Sequence, residues 1–251
     1  MDTLLDLFSL PPLAALLGAA SAALAGIADL IAPLTGSASA AASVVLLTLL
    51  VRITLIPAGI AQARAEQLRS RLAPRLRELQ TRHRRDPERL RRETMKLYAD
   101  ENASPFAGCL PMLAQAPVIG LVYTLFVHAE IGGHANALLS EPLWGVPLGT
   151  SLVGAVASGA ADAAMLAVFG GVIGVIVVIA EVTRRVLGVS PEAIAESPMG
   201  GAMRGMGALQ FTTAVVAAFV PLAAALYLAT TVAWTLGQRW LLRRRYPLAP
   251  A

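Results

Sequence analysis

The amino-acid sequence predicts an all-α polytopic membrane protein with five transmembrane helices, a cytoplasmic helical hairpin and an outer interfacial helix. Of the 251 residues, 56% are hydrophobic and 14% are charged, whereas about 25% of the residues of a soluble domain are charged. Four apolar stretches reach the length of roughly 20 residues that crosses a bilayer as a helix. They lie near residues 41–61, 106–127, 163–182 and 206–236. The third observation is the clustering of the basic residues, which sets the topology.

Nineteen of the twenty basic residues fall into three clusters, within 64–96, 184–204 and 239–245. Cytoplasmic loops carry an excess of Lys and Arg, so the clusters are predicted to be cytoplasmic. The segments 1–51 and 97–183 contain no Lys or Arg, so they are predicted to lie outside or in the membrane. Arg204 and Arg239 must lie on the same side, so the chain between them crosses twice, and Pro221 can end the first of these helices. We therefore expect a multi-pass plasma-membrane protein with its amino terminus outside and its carboxyl terminus in the cytoplasm.

The charge clusters and apolar stretches together divide the chain into ten predicted segments. In order they are an extracytoplasmic interfacial helix (1–38), the first span (39–61), a cytoplasmic helical hairpin (62–104), the second span (105–128), an extracytoplasmic loop (129–161), the third span (162–183), a cytoplasmic loop (184–204), the fourth span (205–220), the fifth span (221–241) and a cytoplasmic basic tail (242–251). Residues 10–34 are long enough to span, but spanning would place their acidic start in the cytoplasm. We therefore expect them to lie on the outer interface.

The cytoplasmic segment is predicted to be two antiparallel helices joined by a tight turn. Leucines repeat at helical spacing, with arginines on the other faces; these leucines are Leu68, Leu72, Leu76 and Leu79. Asp86 and Pro87 have the residue types of an N-cap and of a first helical position. Two roles stay open: a hairpin beside anionic headgroups, or a docking arm for ribosomal RNA, a targeting receptor or an incoming chain. The candidate docking surface consists of Arg75, Arg77, Arg82, Arg84, Arg85, Arg89, Arg91 and Arg92.

No arrangement of residues for catalysis stands out. Lys96 follows Met95, so there is no phosphate-loop lysine. His128, Glu130 and His134 lie in an extracytoplasmic stretch without further ligands, so no metal site is predicted. The hairpin arginines are not interleaved with aromatic residues, which argues against base stacking and a DNA partner. The sequence therefore predicts a protein that is not an enzyme and that holds no cofactor.

Arg52 is a single charge inside an apolar run, LLTLLVRITLIP at 46–57. It lies about twelve residues before Arg64, or roughly 18 Å along a helix, too deep for easy access to the cytoplasmic interface. A charge at a helix centre costs about 2.5–3.5 kcal/mol on insertion scales. One interpretation is a structural pair with Asp162 or Glu181, the acidic residues nearest a span. The favoured interpretation is a water-filled cavity that needs a fixed positive charge.

Four stretches stand in a specific order: VRITLIP at 51–57, RLAPRLRELQ at 71–80, SPFAGCLPMLAQAPV at 104–118 and PLAAALYLATTVAWTLGQ at 221–238. They resemble the first span, the cytoplasmic hairpin, the second span and the last span of the YidC–Oxa–Alb membrane protein insertases. The short outer segment is similar to the Gram-positive form. Leu228 stands where the family often has tryptophan, and Thr231 with Val232 replaces a common Ser-Asn pair. Trp234 lies on the same helix face as Tyr227 and would substitute in part.

The resemblance implies five spans around a polar groove that opens to the cytosol and to lipid. Arg52 would attract an acidic extracytoplasmic segment of a client membrane protein into this groove. The hydrogen-bonding candidates, each with ordinary interhelical contact as its alternative, are Gln115, Gln210, Thr212 and Thr231. The apolar contacts to the client would come from Met112, Tyr227 and Trp234.

Under this hypothesis the client's own apolar span supplies the free energy by entering lipid, and no ATP is needed. The expected partners are client membrane proteins and anionic lipids, with the ribosome, the Sec translocon and a targeting receptor as further candidates. The alternative function is a small transporter or channel subunit with Arg52 as an anion site, although the paired broken helices of such proteins are not visible. A purely structural assembly factor is the third option.

Overall fold

The computed structural model describes residues 11–101, 120, 124–126, 130–131, 134–187 and 211–248. The helices are α1 Pro11–Thr35, α2 Ser39–Thr54, α3 Ile56–Arg82, α4 Pro87–Asp100, α5 Ala137–Ser140, α6 Leu152–Ala157, α7 Ala163–Leu187, α8 Thr212–Phe219 and α9 Leu222–Arg245. The strands are β1 Glu130–Ile131, β2 His134–Ala135, β3 Pro142–Leu143 and β4 Val146–Pro147. The predicted helical class is confirmed, with two short antiparallel strand pairs, β1–β2 and β3–β4, as additions.

Two stretches of the described residues, Leu17–Thr54 and Ala163–Leu187, are helical, long and apolar enough to cross a membrane. The chain divides into two compact units. The first comprises the described residues of 1–53 and 118–236, and the second those of 54–117 and 237–251. The break within α9, a continuous helix, follows Leu236.

In the first unit, α1 and α2 are joined by a single 3₁₀ turn, Gly36–Ala38. Gly36 has a φ of +55°, a conformation that glycine adopts without steric cost. Helix α1 buries Leu17 and Leu24, whereas Leu30 and Leu34 are 78% and 87% exposed. This helix therefore presents apolar side chains that no described residue covers.

The core of the first unit contains large, fully buried side chains together with many alanines. Phe126, Leu148, Phe169 and Ile176 are each no more than 2% exposed. The first residues of α9, Leu222–Ala225, are also buried, and three of these four are alanine. Small residues let helix backbones approach closely, as is common between helices in membranes.

The β3–β4 hairpin and the residues after it hold the start of α9. Trp144 and Gly145 form its two-residue tip, with φ values of 51° and 88°, as a type I′ turn requires. The carbonyl groups of Leu148 and Thr150 accept hydrogen bonds from the first two backbone N–H groups of α9, at 3.0 and 2.9 Å. These groups have no partner within the helix itself, so the segment after β4 caps α9.

The second unit contains the predicted helical hairpin. Leu72 of α3 and Tyr98 of α4 are buried. The carboxylate of Asp86 accepts a hydrogen bond from the backbone N–H of Arg89 at 2.9 Å, and Pro87 begins α4. Arg75 lies 3.1 Å from Glu101, so the end of α4 lies beside the middle of α3. The two antiparallel helices and the Asp86 cap are thus confirmed.

The helix of the predicted first span is shorter than the range 39–61. Helix α2 runs from Ser39 to Thr54, and Leu55 leaves the helical conformation with φ −88° and ψ 3°. The cause is Pro57 in the first turn of α3. Its ring lacks an N–H and would clash with a helical carbonyl four residues earlier. Arg52 therefore lies three residues before the break.

Candidate functional site

Arg52 lies in the last turn of α2, one turn after a buried stripe of this helix. Val44 and Thr48 precede it by two turns and one turn, and they are 0% and 5% exposed. Residues four apart share a helix face, so Arg52, which is itself half-buried, borders this buried stripe. Leu50 and Ile53 on the other side are 52% and 51% exposed. Arg52 is therefore less exposed than the apolar side chains on the other side of the helix.

No acidic residue in the described part of the chain pairs with Arg52. Asp162 accepts a hydrogen bond from a backbone N–H in the first turn of α7, at 2.7 Å. Glu181 pairs with Arg184 at 2.7 Å on the same helix. Both carboxylates considered for a structural pair are therefore engaged elsewhere, which leaves the guanidinium charge of Arg52 uncompensated by these groups.

A pocket of about 170 Å³ between α7, α8 and α9 is lined by one threonine from each helix. The threonines are Thr183, Thr213 and Thr235, and the remaining lining is apolar. The hydroxyl groups of Thr183 and Thr235 donate to carbonyls one turn earlier, each at 2.7 Å. Their lone pairs can still accept a hydrogen bond from another group. Arg52 does not line this pocket.

The predicted groove residues lie near this pocket or outside the described residues. Thr231 precedes Thr235 by one turn, and its hydroxyl oxygen is buried with no hydrogen-bond partner among the described residues. A buried hydroxyl without a partner costs about 1–3 kcal/mol. Thr212 is exposed and begins α8, one residue before Thr213. Gln115 and Gln210 lie outside the described residues.

Sequence reasoning missed the three threonines that line the pocket. A signal for two of them was present. Thr235 repeats Thr231 at a spacing of four residues on one helix face, and Thr183 carries the only hydroxyl group in α7. The sequence does not show that Thr213 rather than Thr212 lines the pocket. Both are threonines at adjacent positions of α8, and they differ in which one faces the neighbouring helices.

Of the three predicted client contacts, two are described. Tyr227 is half-buried and packs against the core, with its ring centroid 6.3 Å from that of Phe126 at an interplanar angle of 46°. Trp234, two turns later on α9, is also half-buried. Met112 lies outside the described residues. Tyr227 therefore has a packing role, whatever else it contacts.

A second cavity, of about 560 Å³, lies along α7 under the β3–β4 hairpin. Its lining includes Trp144, Gly171 and Leu226, and it contains no hydroxyl, amide or charged side chain. Of these two cavities of the first unit, the smaller one between α7, α8 and α9 carries the polar side chains.

The eight arginines of the candidate docking surface are all exposed. Arg75 and Arg92 form ion pairs, with Glu101 at 3.1 Å and Glu88 at 3.5 Å. Pairs this exposed contribute about 0–1 kcal/mol. The other six arginines pair with no acidic residue in the described ranges. The hairpin therefore presents positive charge to the solvent.

Comparison with known proteins gives one family and several relatives. A family model described as "60Kd inner membrane protein" matches residues 30–249. The chain is similar to proteins named "Membrane protein insertase YidC". The Clostridium perfringens protein is 38% identical over 103 residues, which are 41% of this chain and 43% of that protein. The Clostridium tetani protein is 33% identical over 88 residues (35% and 40%), and the Aquifex aeolicus protein 36% identical over 85 residues (34% and 17%). The chain thus matches less than half the length of these relatives.

Proposed function

The chain belongs to the 60Kd inner membrane protein family, and on this premise we propose that it is a membrane protein insertase that acts without ATP. The observation that carries the proposal is Arg52, a half-buried arginine at the end of an apolar helix with no acidic partner among the described residues. A structural arginine would be expected to pair with an acid, because an unpaired charge in a membrane is costly. An arginine that acts on a client must stay free to bind it.

In the proposed mechanism, Arg52 attracts the acidic extracytoplasmic segment of a client into a polar groove. Two unit charges 4 Å apart attract by about 4 kcal/mol at an effective dielectric constant of 20. That energy is of the size needed to offset part of the dehydration of the client's polar segment. The client's apolar span then enters lipid, which supplies the remaining free energy.

The polar groups that accompany Arg52 in this proposal are hydroxyl groups. The unpartnered oxygen of Thr231 and the threonines Thr183, Thr213 and Thr235 offer hydrogen bonds to backbone or side-chain groups of the client. Gln115, Gln210 and Thr212 remain proposed partners from the family resemblance. Tyr227, Trp234 and Met112 are proposed to contact the client's apolar span.

A direct test is reconstitution of the purified protein into liposomes without nucleotide. We expect a small client with one span and an acidic translocated segment to become protected from added protease. The same vesicles should show no faster leakage of a trapped anion than empty vesicles. Anion flux without client protection would favour the transporter or channel alternative, which the named relatives do not support.

The proposed topology has five spans, with the amino terminus outside and the carboxyl terminus in the cytoplasm. In a Cys109→Ser background, an impermeant thiol reagent added outside cells is expected to label Ser140→Cys and not Arg85→Cys. Both positions are exposed on their units, so a missing signal reflects the membrane and not burial. After the cells are opened, both should react. Labelling of position 85 in intact cells would contradict the topology.

The hairpin is proposed as the docking arm for the ribosome, a targeting receptor or the client itself, with the Sec translocon as a further partner of the chain. Replacing Arg84, Arg85, Arg89 and Arg91 by glutamine should weaken co-sedimentation with ribosomes several-fold, because each lost phosphate contact reduces binding. The four side chains are exposed, so the free energy of unfolding should change by less than about 0.5 kcal/mol. Unchanged recruitment of ribosomes, receptor and client alike would leave the hairpin as a headgroup-facing element.

A further inference from the structure

The end of α9 carries a cluster of basic and apolar side chains that the proposed function does not use. Its members, called here the tail surface, are Arg239, Trp240, Leu241, Arg243, Arg244 and Arg245. They follow directly on the apolar residues of the same continuous helix. All of them belong to the second unit, together with α3.

One side of this segment is fastened to α3. The amide of Gln67 donates to the carbonyl of Pro247 at 3.0 Å. The guanidinium of Arg64 donates to the hydroxyl of Tyr246 at 3.3 Å and lies 5.5 Å from the centre of its ring. Gly59 lies against the amide of Gln238, where a Cβ would overlap it. These contacts give the tail surface a fixed orientation.

The other side of the segment is open. Trp240 and Leu241 are 46% and 61% exposed. The guanidinium of Arg244 lies over the Trp240 ring, 3.7 Å from its centroid, so the positive charge is stacked directly on the indole. Tryptophan and arginine beside exposed leucine are the side chains that occur where a helix leaves a bilayer.

The positive charge of the tail surface is only partly neutralised. Glu66 is the acidic residue that faces it, and its oxygens lie 3.8 Å from Arg239 Nη2 and 3.6 Å from Arg243 Nη2. These distances exceed those of hydrogen bonds. The Nε–H of Arg243 is buried without a hydrogen-bond partner in the described part of the chain. One carboxylate therefore lies near two of the four guanidinium groups, so the tail surface keeps a net positive charge that can bind anions.

We propose that the tail surface binds anionic phospholipid headgroups of the cytoplasmic leaflet. Trp240 and Leu241 enter the boundary between headgroups and acyl chains, while Arg239, Arg244 and Arg245 bind the phosphates. The cytoplasmic leaflet is negatively charged, and each basic residue near it contributes about 1 kcal/mol. An RNA partner would account for the arginines but not for an exposed leucine and a single tryptophan, since RNA-binding surfaces stack successive bases on several aromatic rings.

This inference rests on the proposed membrane topology, which places the end of α9 at the cytoplasmic face. To test it, Trp144 and Trp234 are replaced by phenylalanine, so that Trp240 is the only tryptophan in the full chain. The protein is reconstituted with either brominated phosphatidylglycerol or brominated phosphatidylcholine at the same mole fraction. Quenching of Trp240 fluorescence by the bromine atoms then reports which lipid lies beside the tail surface.

We expect quenching by brominated phosphatidylglycerol to exceed that by brominated phosphatidylcholine by a factor of about two or more, because several arginines favour the anionic lipid. Replacing Arg239, Arg244 and Arg245 by glutamine should abolish the difference. Glu66→Gln should enlarge it, since that change removes the competing carboxylate. Glutamine at Arg82, Arg84 and Arg85 is the matched control of equal charge change, and it should leave the difference intact.

Equal quenching by the two lipids would overturn the inference. So would loss of the difference when a short polyuridylate is added, because the surface would then be one for RNA. Client insertion is measured in parallel on the arginine variants with the native tryptophans. Absence of the lipid preference in the protein with its native arginines, with insertion intact, sinks this inference alone, whereas a retained preference without insertion by the unmodified protein sinks the proposed function alone.

Discussion

Arg52→Ala is expected to slow the insertion of clients with an acidic translocated segment by about tenfold or more, equivalent to at least about 1.4 kcal/mol. The physical reason is the loss of a fixed positive charge that no described acidic residue neutralises. For a client whose translocated segment is neutral, Arg52→Ala should reduce the rate of insertion much less. The measurement compares initial rates of protease protection for a pair of clients that differ only in those charges.

Further substitutions at position 52 separate charge from shape. Arg52→Lys should keep much of the activity, although it loses the bidentate geometry of the guanidinium. Arg52→Glu should be slower than Arg52→Ala for acidic clients, since it repels them. Arg71→Ala is the matched control: it also removes an arginine, but an exposed one on α3, and it should insert both clients normally.

The stability of these variants decides between an electrostatic and a structural role. Since Arg52 pairs with no acidic residue in the described part of the chain, removing its charge should leave the free energy of unfolding unchanged or raise it by at most a few kcal/mol. If Arg52→Ala unfolds in detergent at a markedly lower temperature, Arg52 is half of a structural pair. If all variants insert both clients equally, the charge of Arg52 is dispensable for insertion.

Phe169→Ala is expected to have the largest effect on stability, lowering the free energy of unfolding by about 3–5 kcal/mol. Phe169 is 0% exposed in the core of the first unit, where truncation leaves a cavity that its neighbours can only partly fill. Phe219→Ala is the matched control, because Phe219 is 63% exposed at the end of α8 and its loss opens no internal space. Denaturant unfolding of the two variants in the same detergent gives the comparison.

A comparable loss of stability in both phenylalanine variants would contradict the packing of the first unit. The expected difference does not depend on function, so it checks the fold separately from the groove hypothesis. Since the core adjoins the buried face of α2, Phe169→Ala is also expected to reduce insertion by lowering the amount of folded protein. Insertion per folded molecule should change less than total insertion.

Several features of the fold were predictable because their causes are local. The cap at Asp86 needs only a carboxylate placed before Pro87, and the structure contains its hydrogen bond. The apolar face of the hairpin follows from the spacing of its leucines. In each case a few neighbouring residues carry the whole signal.

Other features depend on contacts that no short stretch contains. The end of α2 at Thr54 follows from Pro57, but whether a proline ends a helix or only bends it depends on its surroundings. The start of α9 is capped by carbonyls about seventy residues earlier in the chain. The pocket threonines were missed, and in α8 the predicted Thr212 is exposed while the adjacent Thr213 lines the pocket.

The sequence by itself determined that this protein is helical and membrane-embedded, that Arg52 is an exceptional charge and which family the chain resembles. These conclusions follow from composition, charge order and motifs, which are properties of the chain alone. The tertiary structure decided that Arg52 is half-buried beside the buried Thr48, that Asp162 and Glu181 are engaged elsewhere and that Thr183, Thr213 and Thr235 share one pocket. A helix pattern gives the spacing of side chains but not the neighbour that each face meets, because that choice is made by packing between distant segments.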